Sequence, residues 1–424
     1  MIRIVRNATV KSAQVKALAS RQAAPSAEVE AVVRGILARV RAEGMPAVLD
    51  YARKFDGLKG SLRATPAELE RAAAKCPAEV RKAIRQAIRN VRAFHKRQLE
   101  KGWEFAGAMG EKLGVRVAPL RRVGLYVPGG AAVYPSTVIM DAVPAQVAGV
   151  SEIAVVTPAR NGLNPAVACA LRELGIDEVY KTGGAQAVAM LAYGAGPVAR
   201  VDKIVGPGNV YAALAKKEVF GVVDIDMIAG PSELMVLADE TSDPDWVAAD
   251  LLSQAEHGSG FEAVVCVTDS ERHAKWIAQC VEEQVLASPK RELLEKVLAN
   301  YGCILVVKDW ETGAAIADEI APEHLELAVA NPRALMAKIR NAGAIFLGSW
   351  STEPIGDYIA GPNHTLPTNG TARFSSPLGV YDFLKRTSVI EYNARAMRRY
   401  GPEAAALADS EGFVQHAAAI RKRL

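Results

Sequence analysis

The sequence is short of nearly everything that marks a secreted, membrane-spanning or nucleic-acid-binding protein. Cysteine occurs five times in 424 residues (Cys76, Cys169, Cys266, Cys280, Cys303), an odd count with no C-x-x-C spacing. That argues against a disulfide framework and a thiolate zinc cage, and makes buried free thiols in a reducing compartment the expectation. Aromatic residues make up 6% of the chain and histidine only six positions, so no histidine-rich metal tract is present. Charge of one sign is lacking too. The balance of 51 Lys and Arg against 47 Asp and Glu gives +4 at pH 7, which points to neither nucleic acid nor an anionic membrane. A basic C-terminal run (Arg395, Arg398, Arg399, Arg421, Lys422, Arg423) reads as a solvated helix face as readily as a binding patch. The most apolar stretch, Ala131 to Val150, is broken by Pro135, Asp141 and Pro144 and makes a poor membrane span. The first residues lack the apolar core of a signal peptide, so a cytoplasmic location is expected.

What is present is a folded chain of two or three domains, 50% hydrophobic and 23% charged. From Ser26 to Arg97 the pattern is helical, with Val29, Val32, Val33, Ile36, Leu37 and Val40 on one face. After Trp103, short β-rich runs alternate with helices. The runs at Val123–Val127, Ile153–Thr157, Glu178–Lys181 and Lys203–Val205 are each followed by a turn and a helix. A second series follows Ser232, with strands expected at Leu234–Leu237, Ala263–Val267, Cys303–Val307 and Ala344–Leu347. Strand, turn and helix in succession imply parallel strands with right-handed crossovers. The expected fold is therefore α/β, with two Rossmann-like doubly wound domains, a helical N-terminal part and a C-terminal tail. Residues 1–25 form an N-terminal segment, 26–122 with 233–378 the larger domain, 123–232 an inserted domain and 379–424 the tail.

Glycines at strand ends (Gly129-Gly130, Gly183-Gly184, Gly206-Pro-Gly208) suit a nucleotide, because ligands meet open α/β sheets at the carboxyl ends of the strands. No G-x-G-x-x-G is present, however; the third glycine position after Gly206 and Gly208 holds Tyr211. Gln254 and His257 stand at i and i+3 of one helix, where an amide oxygen and an imidazole could share a cation or the histidine could simply cap the helix. Glu323-His324 places two proton-transfer groups side by side. Asp357 and His364 share a long loop, and Glu411 and His416 lie near the C-terminus on one expected helix. His95 and His273 sit among charged helix residues and carry no assigned role.

Taken together and in order, Tyr126-Val-Pro-Gly-Gly130, Tyr134-Pro-Ser-Thr137, Gly183-Gly-Ala-Gln186, Gly206-Pro-Gly-Asn209, Gly230-Pro-Ser-Glu233, Ser253-Gln-Ala-Glu-His257, Ala321-Pro-Glu-His324, Gly356-Asp357 and Asn363-His364 resemble the histidinol dehydrogenase family over nearly the whole chain. The resemblance implies oxidation of L-histidinol to L-histidine by way of histidinal, with reduction of two NAD. It makes Gln254, His257, Asp357 and His416 ligands of one zinc ion, His324 the general base and Glu323 the group that activates water. It gives Ser232, Glu411 and His364 to the substrate along with the metal ligands and His324, and Tyr126, Gln186 and Asn209 to NAD. It further implies a homodimer whose tail crosses to the partner. Three other readings compete: an NAD-dependent dehydrogenase of another small diol or amino alcohol, sulfonated ones included; a metal hydrolase using Glu323; and a metal-stabilised binding protein without turnover. A basic group would suit a sulfonate where Glu411 stands, so the carboxylate favours histidinol.

Overall fold

The alternation read from the sequence builds two parallel sheets and one antiparallel sheet in a computed structural model that describes residues 2–21, 26–129, 133–257 and 260–424. Gly130 and part of the apolar stretch 131–150 fall outside the described residues.

The smaller parallel sheet runs, edge to edge, Val179–Tyr180, Glu152–Val156, Arg122–Tyr126, Lys203–Val205 and Asp224–Ile225. Its first three strands are laid down outward from Arg122–Tyr126 and the next two on the other side. That order reversal is the mark of a doubly wound sheet. The larger sheet repeats the plan with Gly302–Val306, Ala263–Thr268, Glu233–Ala238, His324–Ala328 and Ala344–Leu347, and adds Arg3–Val5 at one edge. Central strands such as Glu233–Ala238 are buried along their whole length, as strands covered by helices on both faces must be. Each Val, Leu or Ile fully buried there contributes roughly 1.5–3 kcal/mol.

Helices form where the caps direct. Ser26 accepts from the Val29 amide at the start of Ala27–Glu43, and Asn164 and Asn209 cap Pro165–Glu173 and Val210–Val219 through their own side chains.

Several expectations are corrected. The stretch 26–122 was grouped with the larger sheet, yet its helices share cores with the smaller one. Val33, Ile36 and Val48 pack with Tyr126 and Val156, and Leu69, Ile84 and Val91 with Val123 and Val155. Residues before 22 belong to the larger sheet, where Ala8, Val15 and Leu18 join the core of Met235 and Leu325. Trp103–Ala106, Lys112–Pro119 and Leu384–Glu391 form an antiparallel sheet that lies outside both expected series of strands. Glu411 and His416 do not share a helix. Glu411 ends Ala394–Ser410, Gly412 turns the chain at φ 78°, and His416 lies in Val414–Arg421. These two helices pack on each other through Gly401, where a Cβ would come within 2.6 Å of Leu424. Four of the cysteines are buried and none is bonded.

Candidate active site

Two adjacent strands of the larger sheet begin at the catalytic candidates. His324 opens His324–Ala328 and pairs in register with Leu234 of Glu233–Ala238, so the amino ends of both strands meet. The Glu233 amide donates to Glu323 Oε2 at 2.9 Å, and His324 Nδ1 lies 3.1 Å from the Glu233 carbonyl oxygen. A carbonyl only accepts, so Nδ1 carries a proton, which leaves Nε2 as the nitrogen that can exchange one. That nitrogen is buried without a hydrogen-bond partner. It faces Asp357 Oδ1 at 3.7 Å and Glu353 Oε1 at 3.9 Å, ionic neighbours beyond hydrogen-bond range.

Charge in this pocket is unbalanced. Burial alone would lower His324, but the Glu323 and Asp357 carboxylates outweigh it and push the imidazole up to about 10. Burial raises Glu323 to about 7 and, with the Asp357 charge, Glu353 to about 8. Asp357 moves the other way. Its burial is outweighed by His324 and His364, which hold it down to about 2. Carboxylates crowded on one imidazole ask for another cation. The ligand atoms of His324, Glu353 and Asp357 lie within 4.8 Å of one another.

Asp357 stands in a wide helical turn, Gly356–Ala360, where the sequence had suggested a plain loop. His364 Nδ1 is 4.0 Å from Asp357, and its Nε2 is 3.4 Å from Thr137 Oγ1 at the start of Pro135–Ala148. Two further bonds fasten this loop to the same helix, Asn363 Nδ2 to the Met140 carbonyl at 2.6 Å and Thr365 Oγ1 to Asp141 at 3.2 Å. The loop therefore ties the His324 cluster to the smaller sheet.

Gln254 and His257 come together at the end of Pro244–Ala255, with Gln254 Nε2 3.1 Å from His257 Nδ1. Gln254 is fully buried and its Oε1 has no partner, which suits an amide oxygen meant for a cation. Ser232 directly precedes Glu233. Glu411 and His416 are exposed on the C-terminal helices, with His416 stacked on Phe413 at 4.9 Å. No hydrogen bond or ion pair among the described residues joins them to the His324 cluster.

At the carboxyl ends of the smaller sheet lies a cleft of about 910 Å³, lined by Tyr126, Gln186 and Asn209 among others. The volume is at the upper end of the range for small-molecule and cofactor sites. Tyr126 ends its strand, and its hydroxyl accepts from the Gly184 amide at 2.8 Å; burial pushes its pKa up to about 12. Gln186 is anchored by Asp56 at 3.1 Å. Gly206 is irreplaceable at its turn, since φ is +112° and a Cβ would come within 2.2 Å of the Tyr126 carbonyl.

Sequence reasoning missed Glu353, Glu233 and Asp56. A lone Glu or Asp ordinarily reads as surface, and only the fold shows Glu353 and Glu233 buried. His95 and His273, to which the sequence assigns no role, are buried at 0% and 1% exposure.

A cleft of cofactor size at the carboxyl ends of one doubly wound sheet, with a buried imidazole–carboxylate cluster at the amino ends of another, makes this a two-sheet α/β protein that pairs a binding cleft with a proton-transfer site. The histidinol dehydrogenase family model matches residues 19–424. The chain is 49% identical over 432 residues to histidinol dehydrogenase of Dechloromonas aromatica, covering 100% of both chains. It is 52% identical over 400 residues to that of Geobacillus kaustophilus, covering 94% of each. The crystal structure of histidinol dehydrogenase from Elizabethkingia anophelis superposes with a TM-score of 0.94 at 34% identity, covering 100% of this chain and 98% of that one. The chain belongs to the histidinol dehydrogenase family.

Proposed function

We propose that this protein oxidises L-histidinol to L-histidine with two NAD, using one zinc ion. The observation that carries the reading is the fixed tautomer of His324. With Nδ1 donating to the Glu233 carbonyl, Nε2 is the one nitrogen able to take the alcohol proton as hydride leaves carbon for the nicotinamide. The aldehyde so formed is retained. Glu323, held by the Glu233 amide through Oε2, accepts a proton from water as it adds to the carbonyl. As water adds, the protonated His324 returns its proton to the carbonyl oxygen, giving the gem-diol and freeing Nε2. The gem-diol then gives up its hydride to a second NAD and a proton to His324, leaving the carboxylic acid, which ionises to the carboxylate. Both oxidations thus use one imidazole, and hydration between them uses one carboxylate.

Gln254, His257 and Asp357 are the residues that would hold the metal, with His416 supplied by a second copy of the chain. A divalent cation held by these residues would offset the carboxylate charge that raises His324 and would supply a ligand position for substrate nitrogen. A nitrogen/oxygen donor set without thiolate also accepts manganese or cobalt. The exposed Leu407, Phe413 and Val414 of the terminal helices, at 67%, 51% and 66% exposure, support a tail that packs on a second copy and brings Glu411 and His416 to its site. Ser232, His364 and Glu411 would hold the imidazole and amine of the substrate, and Tyr126, Gln186 and Asn209 the NAD. No helix among the described residues is long and apolar enough to cross a membrane, and we place the reaction in the cytoplasm.

The test is NADH formation from L-histidinol before and after chelation. Loss of activity with chelator and recovery with zinc are expected. Activity that survives complete metal removal would contradict the metal's part, and no NADH from folded, metal-loaded protein would contradict the reaction.

A further inference from the structure

We propose that the buried Arg21–Glu233 ion pair is a positioning device that sets both Glu323 and His324, so that one strand end controls both halves of the reaction. The proposal rests on the catalytic roles given above.

Glu233 reaches the two catalytic residues with its backbone and is itself held by its side chain. Its amide holds Glu323 Oε2 at 2.9 Å, and its carbonyl holds His324 Nδ1 at 3.1 Å. Its carboxylate receives Arg21 at 2.6 Å and the Asn369 amide at 2.9 Å through Oε1, and the Glu323 amide at 3.3 Å through Oε2. Glu233 and Glu323 thus exchange bonds reciprocally, each carboxylate accepting from the other's amide. Arg21 closes the assembly from the N-terminal segment, donating also to the Phe261 carbonyl at 2.6 Å and the Pro231 carbonyl at 3.2 Å. Those carbonyls flank the starts of two neighbouring strands, so one guanidinium fixes Glu233 and the chain on either side of it.

Stability does not explain the pair. Its side chains are 4% and 6% exposed, and replacing a buried ion pair by apolar groups of similar volume is often neutral or stabilising. What an apolar pair could not do is accept the Glu323 and Asn369 amides and fix where the Glu233 peptide points. A displacement of about 1 Å in a reacting group can cost on the order of 100-fold in rate.

Three full-length, metal-loaded variants test the idea: Glu233→Gln, Arg21→Met and Arg21→Lys. L-histidinol and histidinal are assayed as separate substrates. Glu233→Gln and Arg21→Met are expected to lower kcat about 10- to 100-fold for both substrates in parallel. KM for histidinol, NAD affinity and zinc content should stay within about threefold of wild type. Arg21→Lys keeps the charge but not the three-way fork, and should recover part of kcat. If Glu233→Gln does not fold, the Arg21→Met and Arg21→Lys comparison carries the same expectation. Folded variants of an active wild type that keep kcat within about threefold would overturn the positioning role, as would losses that follow zinc or NAD affinity alone. A wild type that makes no NADH from histidinol would instead overturn the assigned reaction.

Discussion

Replacing Lys216 by methionine would loosen the turn that borders the cofactor cleft. Lys216 is 1% exposed, and its ammonium donates to the Gly206 carbonyl at 2.8 Å and to the Asp226 carboxylate. Asp226 in turn accepts from the Gly206 amide at 2.7 Å, so both polar groups of Gly206 hang on this pair. Beside them is Asp141, fully buried. Its burial and the Asp226 charge push its carboxyl well above the usual range. Methionine keeps the length of the stem and leaves Asp226 buried without a counter-charge. Breaking a buried pair this way costs about 3–5 kcal/mol. At about 2–4 °C per kcal/mol for a unit of about 150–250 residues, Tm should fall by roughly 6–20 °C. Adding Asp226→Asn removes the stranded charge and should return a good part of the loss, a coupling of up to about 3 kcal/mol. Urea unfolding and NADH fluorescence titration of the single and double variants measure both consequences. A Lys216→Met protein within about 1 kcal/mol of wild type, or a double variant no better than the single, would refute the reasoning.

Other expectations follow from the same contacts. Burial and the Asp226 charge hold Asp141 well above the usual carboxylate range, so the folded state keeps a proton that the unfolded state releases, and stability is lost as pH rises from the ordinary carboxylate range toward the raised folded value. Asp141→Asn should flatten this decline, read as urea midpoints across the acid-to-neutral range; an unchanged slope would be the contrary result. Asp56 accepts from Thr182 Oγ1 at 2.7 Å, the Gly183 amide at 3.2 Å and Gln186 Nε2 at 3.1 Å. Asp56→Ala should therefore free Gln186 and weaken NAD binding about tenfold while zinc content stays constant, measured by calorimetry. If active sites are shared, a His416→Ala chain co-expressed with a His324→Ala chain regains part of the activity, since some mixed dimers keep one intact site. A verified mixed dimer with no recovery would show that each subunit builds its own site.

Much of the frame was legible because buried parallel strands advertise themselves. The buried Lys203–Val205, apolar after its lysine, and the half-buried Ala344–Leu347 are runs bounded by breakers, and their expected ends match the observed ones. Strands whose pattern carries less apolar signal were not. Arg3–Val5 is partly charged, Asp224–Ile225 is two residues long, and Trp103–Ala106 is exposed throughout, so none presents a buried run. The site divides in the same way. Glu323, His324, Asp357 and His364 were singled out as chemistry-bearing residues, and the fold brings them into one cluster. Glu353 and Glu233 were given no role because theirs comes from partners far away in sequence, His324 and Arg21 among them. The packing of 26–122 was misassigned for a related reason. An amphipathic helix shows which face is buried but not which sheet covers it.

The most direct test follows product and cofactor together, with L-histidinol and excess NAD given to zinc-loaded wild type and to His324→Gln. Two NADH and one L-histidine per histidinol are predicted for wild type, with the variant slowed about 100- to 10,000-fold at unchanged NAD affinity. Accumulation of free histidinal at one NADH per histidinol, or a His324→Gln enzyme as fast as wild type, would contradict the account.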